Sequence, residues 1–180
     1  MEVSYADRYA ASANPAFQRE EGYKITIAGL TIIGGGAGDD CTNFVSQAML
    51  AGGWKQDPRW NDPTIQAYGP DYSGPVSSPT LAWVNVDAFI NFATTTQRAV
   101  WVDRAAAQPG DIVVADWSGG RGSKFSPDHL MIVSQKRPDG QMFIDEHSND
   151  RYLFPLFGPK GSETIQGKEP LVTYRYLHPL

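Results

Sequence analysis

Only one cysteine, Cys41, occurs in the 180 residues, so no disulfide can form within the chain and the fold is held by burial and hydrogen bonding. A lone thiol suits a reducing compartment, and it equally suits a secreted enzyme whose thiol must stay free. Basic side chains are few and scattered: 15 Lys and Arg stand against 20 Asp and Glu, for a formal net charge of −5. No run of them supplies the positive face that a phosphate backbone requires, which argues against a nucleic-acid partner. Long apolar runs are also missing. No stretch approaches the ~18 apolar residues of a membrane helix. The opening MEVSYADRYA has neither the basic nor the apolar region of a secretion signal. Either the protein is unsignalled, or it is a domain of a larger parent chain. Histidine is scarce too, with His129, His147 and His178 alone. The glycine-rich stretch Gly34 to Gly38 lacks the Lys-Ser/Thr ending of a phosphate loop, so it reads as a flexible approach to the segment that Cys41 opens.

The residues that are present describe a globular chain. Hydrophobic residues make up 41% and charged residues 19%, which is ordinary for a packed domain, and residues 1–180 are expected to form one domain. The 18 Gly and 13 Pro point to long ordered loops. Val3 to Ala13 reads as a short amphipathic helix ending near Asn14-Pro15. Lys24 to Ile33 is β-branched and reads as a strand or hairpin. Cys41 opens a helical pattern, with Phe44, Val45, Ala48 and Met49, that Gly52-Gly53 stops. Residues 54–80 are Pro-, Trp- and Tyr-rich without period and read as a long ordered loop. A second helix is expected over Val84 to Ala93, then strands at Val100–Val102, Ile112–Trp117, His129–Gln135, Gln141–His147 and Leu171–Tyr176. Helices first and a strand meander afterwards make an α+β domain, with the cysteine helix packed on an antiparallel sheet.

The chemistry concentrates on the cysteine. A thiol at the first turn of a helix is held near unpaired N–H groups and the positive end of the helix dipole, both of which favour the thiolate. The Cys41 amide is a candidate donor to a developing oxyanion. His129 starts an apolar strand after a Gly-rich loop, where an imidazole can take the thiol proton and return it to a leaving amine. A third group normally fixes the imidazole's orientation. Period-two alternation on the returning strand offers Asp145, His147 and, further on, Asn149 on one face, and does not choose among them. His178, flanked by Pro179, reads as surface. Asp145, Glu146 and His147 make a poor metal site because neighbouring strand residues face opposite ways; neither metal nor cofactor is called for. Most aromatics between Trp54 and Tyr72 read as packing, with some available to line a substrate groove.

Asp40-Cys41-Thr42-Asn43-Phe44-Val45-Ser46-Gln47, followed by Ala51-Gly52-Gly53, resembles the nucleophile motif of the bacterial putative amidase domain family, a relative of the NlpC/P60 cell-wall peptidases. The resemblance continues through Tyr5 to Ala10 with Asn14, Ser78 to Trp83 with Phe89 and Phe92, and Pro109-Gly110-Asp111. It extends to Asp116-Trp117, Asp128-His129 with Val133, and His147 to Arg151. It implies a papain-like fold and a cysteine hydrolase of amide or peptide bonds, with Cys41 and His129 as the catalytic pair. It further implies His147 as the polar third member, and Asp40 as a binder of the substrate's free amine. The substrate implied is bacterial peptidoglycan, acted on by a secreted or wall-acting enzyme. A delivered toxin or effector domain, with proteins as substrates and an immunity protein as partner, is the alternative; an inactive binding module is a third.

Overall fold

A computed structural model describes residues 1–12, 14–15, 23–27, 30–34, 40–60, 81–119 and 124–180. The approach to Cys41 at 35–39 and most of the expected loop at 54–80 lie outside the described residues. Helix α1 (Glu2–Tyr9) comes first, then the antiparallel hairpin of β1 (Tyr23–Ile27) and β2 (Leu30–Gly34). Helix α2 (Cys41–Gly52) begins at the cysteine and ends on Gly53, whose φ of 113° is the left-handed cap that glycine adopts without strain.

The next helix differs from the expected one. Helix α3 (Leu81–Val84) and helix α4 (Val86–Thr95) are separate, because Asn85 is extended (φ −117°, ψ 131°) and its side chain caps α4 by accepting from the Ala88 N–H. The apolar spacing of Val86, Phe89, Ile90 and Ala93 carries no mark of this break; a side chain that competes with the backbone does.

Six antiparallel strands form the main sheet: β3 (Ala99–Val102), β4 (Ile112–Asp116), β5 (His129–Lys136), β6 (Met142–Glu146), β7 (Arg151–Pro155) and β8 (Thr173–Pro179), in the order β3-β8-β4-β5-β6-β7. The fold is α+β. Strand β7 and the short helix α5 (Ile165–Lys168) were not legible in the sequence. β7 follows a glycine-free turn with positive φ at Ser148 and Asp150, and itself contains Leu153 at φ 45°. The last strand begins and ends later than expected.

Alternation along these strands buries both faces of the sheet. Ile112, Val114, Leu130, Ile132 and Leu177 pack with Phe44, Val45 and Ala48 of α2 and Phe89 and Ala93 of α4. Val113, Ala115, Met131, Val133, Met142 and Ile144 face the other way, covered by Leu156, Ile165 and Val172. Each large side chain fully removed from water contributes about 1.5–3 kcal/mol. Trp54 and Trp60 belong to the first core, with Arg98 stacked over both, so these two aromatics are packing, as expected.

One irregularity sets the site. From the hairpin end, Lys136 pairs with Met142 and Gln135 with Phe143, whereas Val133 pairs with Ile144 and Ile132 with Asp145. Ser134 is therefore an extra residue in β5, and such a bulge turns the rest of one strand over relative to its partner.

Replacing Asn85 by Ala should cost about 1 kcal/mol of stability through loss of the cap. Asn85→Asp, which keeps the acceptor, should cost much less; equal losses in urea titrations of both variants would refute the capping role.

Candidate active site

Cys41 is the first residue of α2 and Asp40 its N-cap, yet the Asp40 side chain does not cap the helix. Its carboxylate is committed elsewhere: Oδ1 accepts from Asn43 Nδ2 at 2.7 Å and Oδ2 bonds His147 Nδ1 at 2.6 Å. The helix's positive end thus acts on the Cys41 sulfur without that neighbouring carboxylate turned onto it. All residues from Cys41 to Met49 are buried, so the polar ones must find partners inside. Gln47 Nε2 donates to Asn43 Oδ1 at 3.0 Å, as does Trp83 Nε1 at 2.6 Å, while the Tyr5 hydroxyl donates to Gln47 Oε1 at 2.5 Å. Ser46 donates to the Trp83 carbonyl and accepts from Trp60 Nε1. Each polar member of the Asp40–Gln47 stretch after Cys41, apart from Thr42, ties α2 to a neighbour; Thr42 Oγ1 lies 3.7 Å from the Cys41 sulfur.

His129 reaches Cys41 from the start of β5. Burial alone would push the thiol up, but the charge of His129, its hydrogen bond, the Leu130 N–H and the Thr42 hydroxyl hold Cys41 below the ordinary thiol range. Burial likewise pulls the imidazole down, and the Cys41 thiolate with Glu146 reverses this and raises His129 to about 10. The favoured form is a thiolate–imidazolium pair. The imidazole also packs beside Trp117, centroids 5.4 Å apart. Buried Asp116, beside Trp117 in sequence, accepts from the Ser118 and Ser126 amides.

The group on the far side of His129 is Glu146, not His147. His129 Nε2 bonds Glu146 Oε2, and Glu146 Oε1 accepts from Arg151 at 2.5 Å. Burial opposes ionisation of Glu146, but bonds and charges from His129 and Arg151 keep its carboxyl below the usual range. The bulge at Ser134 is the physical reason. Without it the hairpin register would bring Asp145 and His147 to the His129 face; with it, Glu146 shares that face with Ile144, Met131 and His129. Asp145 instead caps the irregular β7 backbone by accepting from the Leu153 N–H at 2.7 Å, and Asn149 is exposed in the turn. The sequence reading missed Glu146 and Arg151 in these positions, because one inserted residue in a strand leaves no compositional trace.

His147 has a different set of partners. Its ring stacks on Phe44, Nδ1 faces Asp40, and Nε2 donates to the Tyr9 carbonyl at 2.8 Å. Both ring nitrogens therefore have a partner inside the protein. Asp40 is 1% exposed and both its oxygens are bonded within the protein. His178 is less free than expected: its Nδ1 lies 2.7 Å from buried Asp111. Asp145, Glu146 and His147 face three separate sets of partners, and among the described residues no group of three or more His, Cys, Asp or Glu stands together as metal ligands would.

A helix-borne thiol, an imidazole and a carboxylate in series define a site equipped for nucleophilic chemistry at a carbonyl. The profile of the putative amidase domain family matches residues 1–168. The chain belongs to that family, whose description assigns it the hydrolysis of amides. No curated protein and no solved structure matches it. No helix among the described residues is long and apolar enough to cross a membrane.

Three outcomes test this layout. Alkylation of Cys41 by iodoacetamide should stay fast at mildly acidic pH, since the thiol is shifted down. Glu146→Gln removes the charge that stabilises the imidazolium, so His129 should lose its proton at lower pH. The alkaline change in the pH–reactivity profile should then move down by roughly 1–2 units; an unmoved profile would separate Glu146 from His129. Asp40→Ala should strand His147 and lower stability by about 3–5 kcal/mol, whereas a substrate-binding Asp40 would raise KM and leave the denaturation midpoint in place.

Proposed function

We propose that this protein is a cysteine hydrolase of amide or peptide bonds in which Cys41 is the nucleophile, His129 the acid–base and Glu146 the group that orients His129. The observation that carries the reading is the continuous series Cys41–His129–Glu146 at the start of a buried helix. The Cys41 sulfur attacks the carbonyl carbon, and the C=O electron pair moves onto oxygen. The first-turn amide of Cys41 supports that oxyanion. The imidazolium of His129 gives its proton to the departing amine as the C–N bond breaks, leaving a thioester. Neutral His129 then takes a proton from water as the hydroxyl adds to the thioester. The tetrahedral adduct expels the thiolate, the acid leaves, and the ion pair is restored. Glu146 bonds Nε2, so it presents Nδ1 to the sulfur and stabilises the charge that His129 alternately holds and releases.

A helix carrying the nucleophile against an antiparallel sheet carrying the histidine supports a papain-like arrangement, in one domain spanning residues 1–180. The resemblance of Asp40 to Gln47 to the bacterial family supports peptidoglycan as the substrate class, with a secreted or wall-acting protein as the setting.

Purified peptidoglycan incubated with wild type and with Cys41→Ala, with products read by mass spectrometry, tests both levels. Wild type should release defined fragments bearing a new carboxylate and a new amine, and Cys41→Ala should lower the rate by at least roughly 10³-fold. Equal release by the two proteins would rule out the mechanism. No release by either, with Cys41 still rapidly alkylated, would rule out the wall substrate alone.

A further inference from the structure

Away from the cysteine, the sheet has an incomplete edge. Strand β3 pairs with β8 only as far as Val102 and Tyr176, whereas β8 continues against β4 through Arg175, Tyr174 and Thr173. Backbone groups of an antiparallel strand alternate sides. Half of those in Thr173–Arg175 therefore point away from β4, to the side where β3 has ended. Beside this open length lies a groove of about 440 Å³ lined by Trp101, Asp103, Arg104, Tyr174, Arg175 and Tyr176 among others.

Its charges are arranged as well as present. Arg104 stacks on Phe157 with Cζ 3.5 Å from the ring centre, and Arg175 stacks on Phe125 at 4.4 Å. A guanidinium held flat on a ring keeps its N–H edge free for a carboxylate and loses little freedom on binding. Neither guanidinium has a carboxylate in ion-pair contact among the described residues, and Asp103 is the one acidic residue of the lining. The turn behind Arg104 is fixed in turn, since Lys136 donates to the carbonyls of Ala105 and Ala107, each at 2.7 Å. Phe125 and Phe157 pack against opposite cores, so the two arginines flank opposite faces of the sheet at the open edge. Trp101, 45% exposed, adds an uncovered apolar surface beside them.

We propose that this groove binds an extended acidic peptide, which adds beside β8 in the place β3 vacates. Neighbouring side chains of a strand point to opposite faces. Two consecutive carboxylate residues would therefore meet Arg175 on one face and Arg104 on the other. On a protein of net charge −5, such a pair of arginines draws acidic ligands to this edge while the rest of the surface repels them. The groove lies apart from the proposed catalytic series: Tyr174, Ala115 and His129 are level across β8, β4 and β5, which puts about 10 Å between the groove's strand and His129. Binding here therefore goes beyond the hydrolase reading and does not depend on it.

The probe is a blocked, fluorescein-labelled β-prone hexapeptide with a central Glu-Glu, compared with its Gln-Gln and Lys-Lys analogues by anisotropy on the whole chain. The Glu-Glu peptide should bind about tenfold or more tightly than either analogue, with affinity falling as salt rises. Arg104→Gln/Arg175→Gln, both at exposed positions, should remove that preference. Hydrogen exchange should slow within Thr173–Arg175 on binding, the mark of strand addition. Cys41→Ala should bind the peptide as wild type does. Absence of Glu-Glu preference, its survival in the double variant, unchanged exchange in Thr173–Arg175, or loss of binding in Cys41→Ala would each overturn the proposal. Preference for a neutral oligosaccharide over the peptide would do so as well.

Discussion

The pairing of Asp40 with His147 is the constraint on which the rest of the site depends. It joins the residue before the cysteine to the end of β6, and through the Tyr9 carbonyl it fastens α1 to both. Three elements distant in sequence thus converge on one imidazole. A buried polar contact of this kind gives little net stability, because desolvation of both groups offsets most of its attraction. Its value is geometric. An apolar substitute would let α2 slide along the sheet, whereas a hydrogen-bonded pair with a fixed direction sets where the first turn of α2 stands.

The same contact makes the charge distribution of the site workable. A thiolate beside an uncompensated carboxylate would be disfavoured, and Asp40 precedes Cys41 directly. His147 holds the Asp40 carboxylate by a hydrogen bond, while His129 bonds Glu146, which accepts in turn from Arg151. Glu146 thus has a basic neighbour on each oxygen, and such pairing offsets the desolvation of ionisable groups in a water-poor region. The polar residues of α2 do comparable work on the other side, tying Asn43, Ser46 and Gln47 to aromatic residues of the helical layer.

Much of this was legible beforehand, for identifiable reasons. Helix α2 was, because Phe44, Val45, Ala48 and Met49 keep helical period between a cysteine and a double glycine. So were β4, β5 and β6, where β-branched residues run between turn signals. Cys41 and His129 stood out by scarcity and position. The identity of the group bonded to His129 was not legible, because period-two alternation tells which residues share a face and not which face meets a neighbouring strand. That choice is made by Ser134, a residue with nothing in its type to announce a bulge. Helices α3 and α5 escaped because each has only four residues, and β7 because its irregular backbone is held from elsewhere: the Leu153 N–H is satisfied by the Asp145 carboxylate. His178 escaped because its partner, Asp111, lies 67 positions away in sequence.

Strand β8 sits between β3 and β4 although it is last in sequence, and it lies wholly beyond the segment matched by the family profile. The meander from β4 to β7 is built from near neighbours and can assemble as it is synthesised. Strand β3 cannot: among the described residues its only strand partner is β8, some seventy residues later. Pairings of such long span close late, since the intervening chain must first be gathered in. While it waits, the edge of β4 is bare and β3 carries Val100 and Trp101, both of which remain exposed even in the finished fold. The nascent protein therefore passes through a stage with two open strand edges, and the arrival of residues 173–179 closes both at once. In this chain, the vulnerability to misassociation is concentrated in the interval between making the third strand of the sequence and making the eighth.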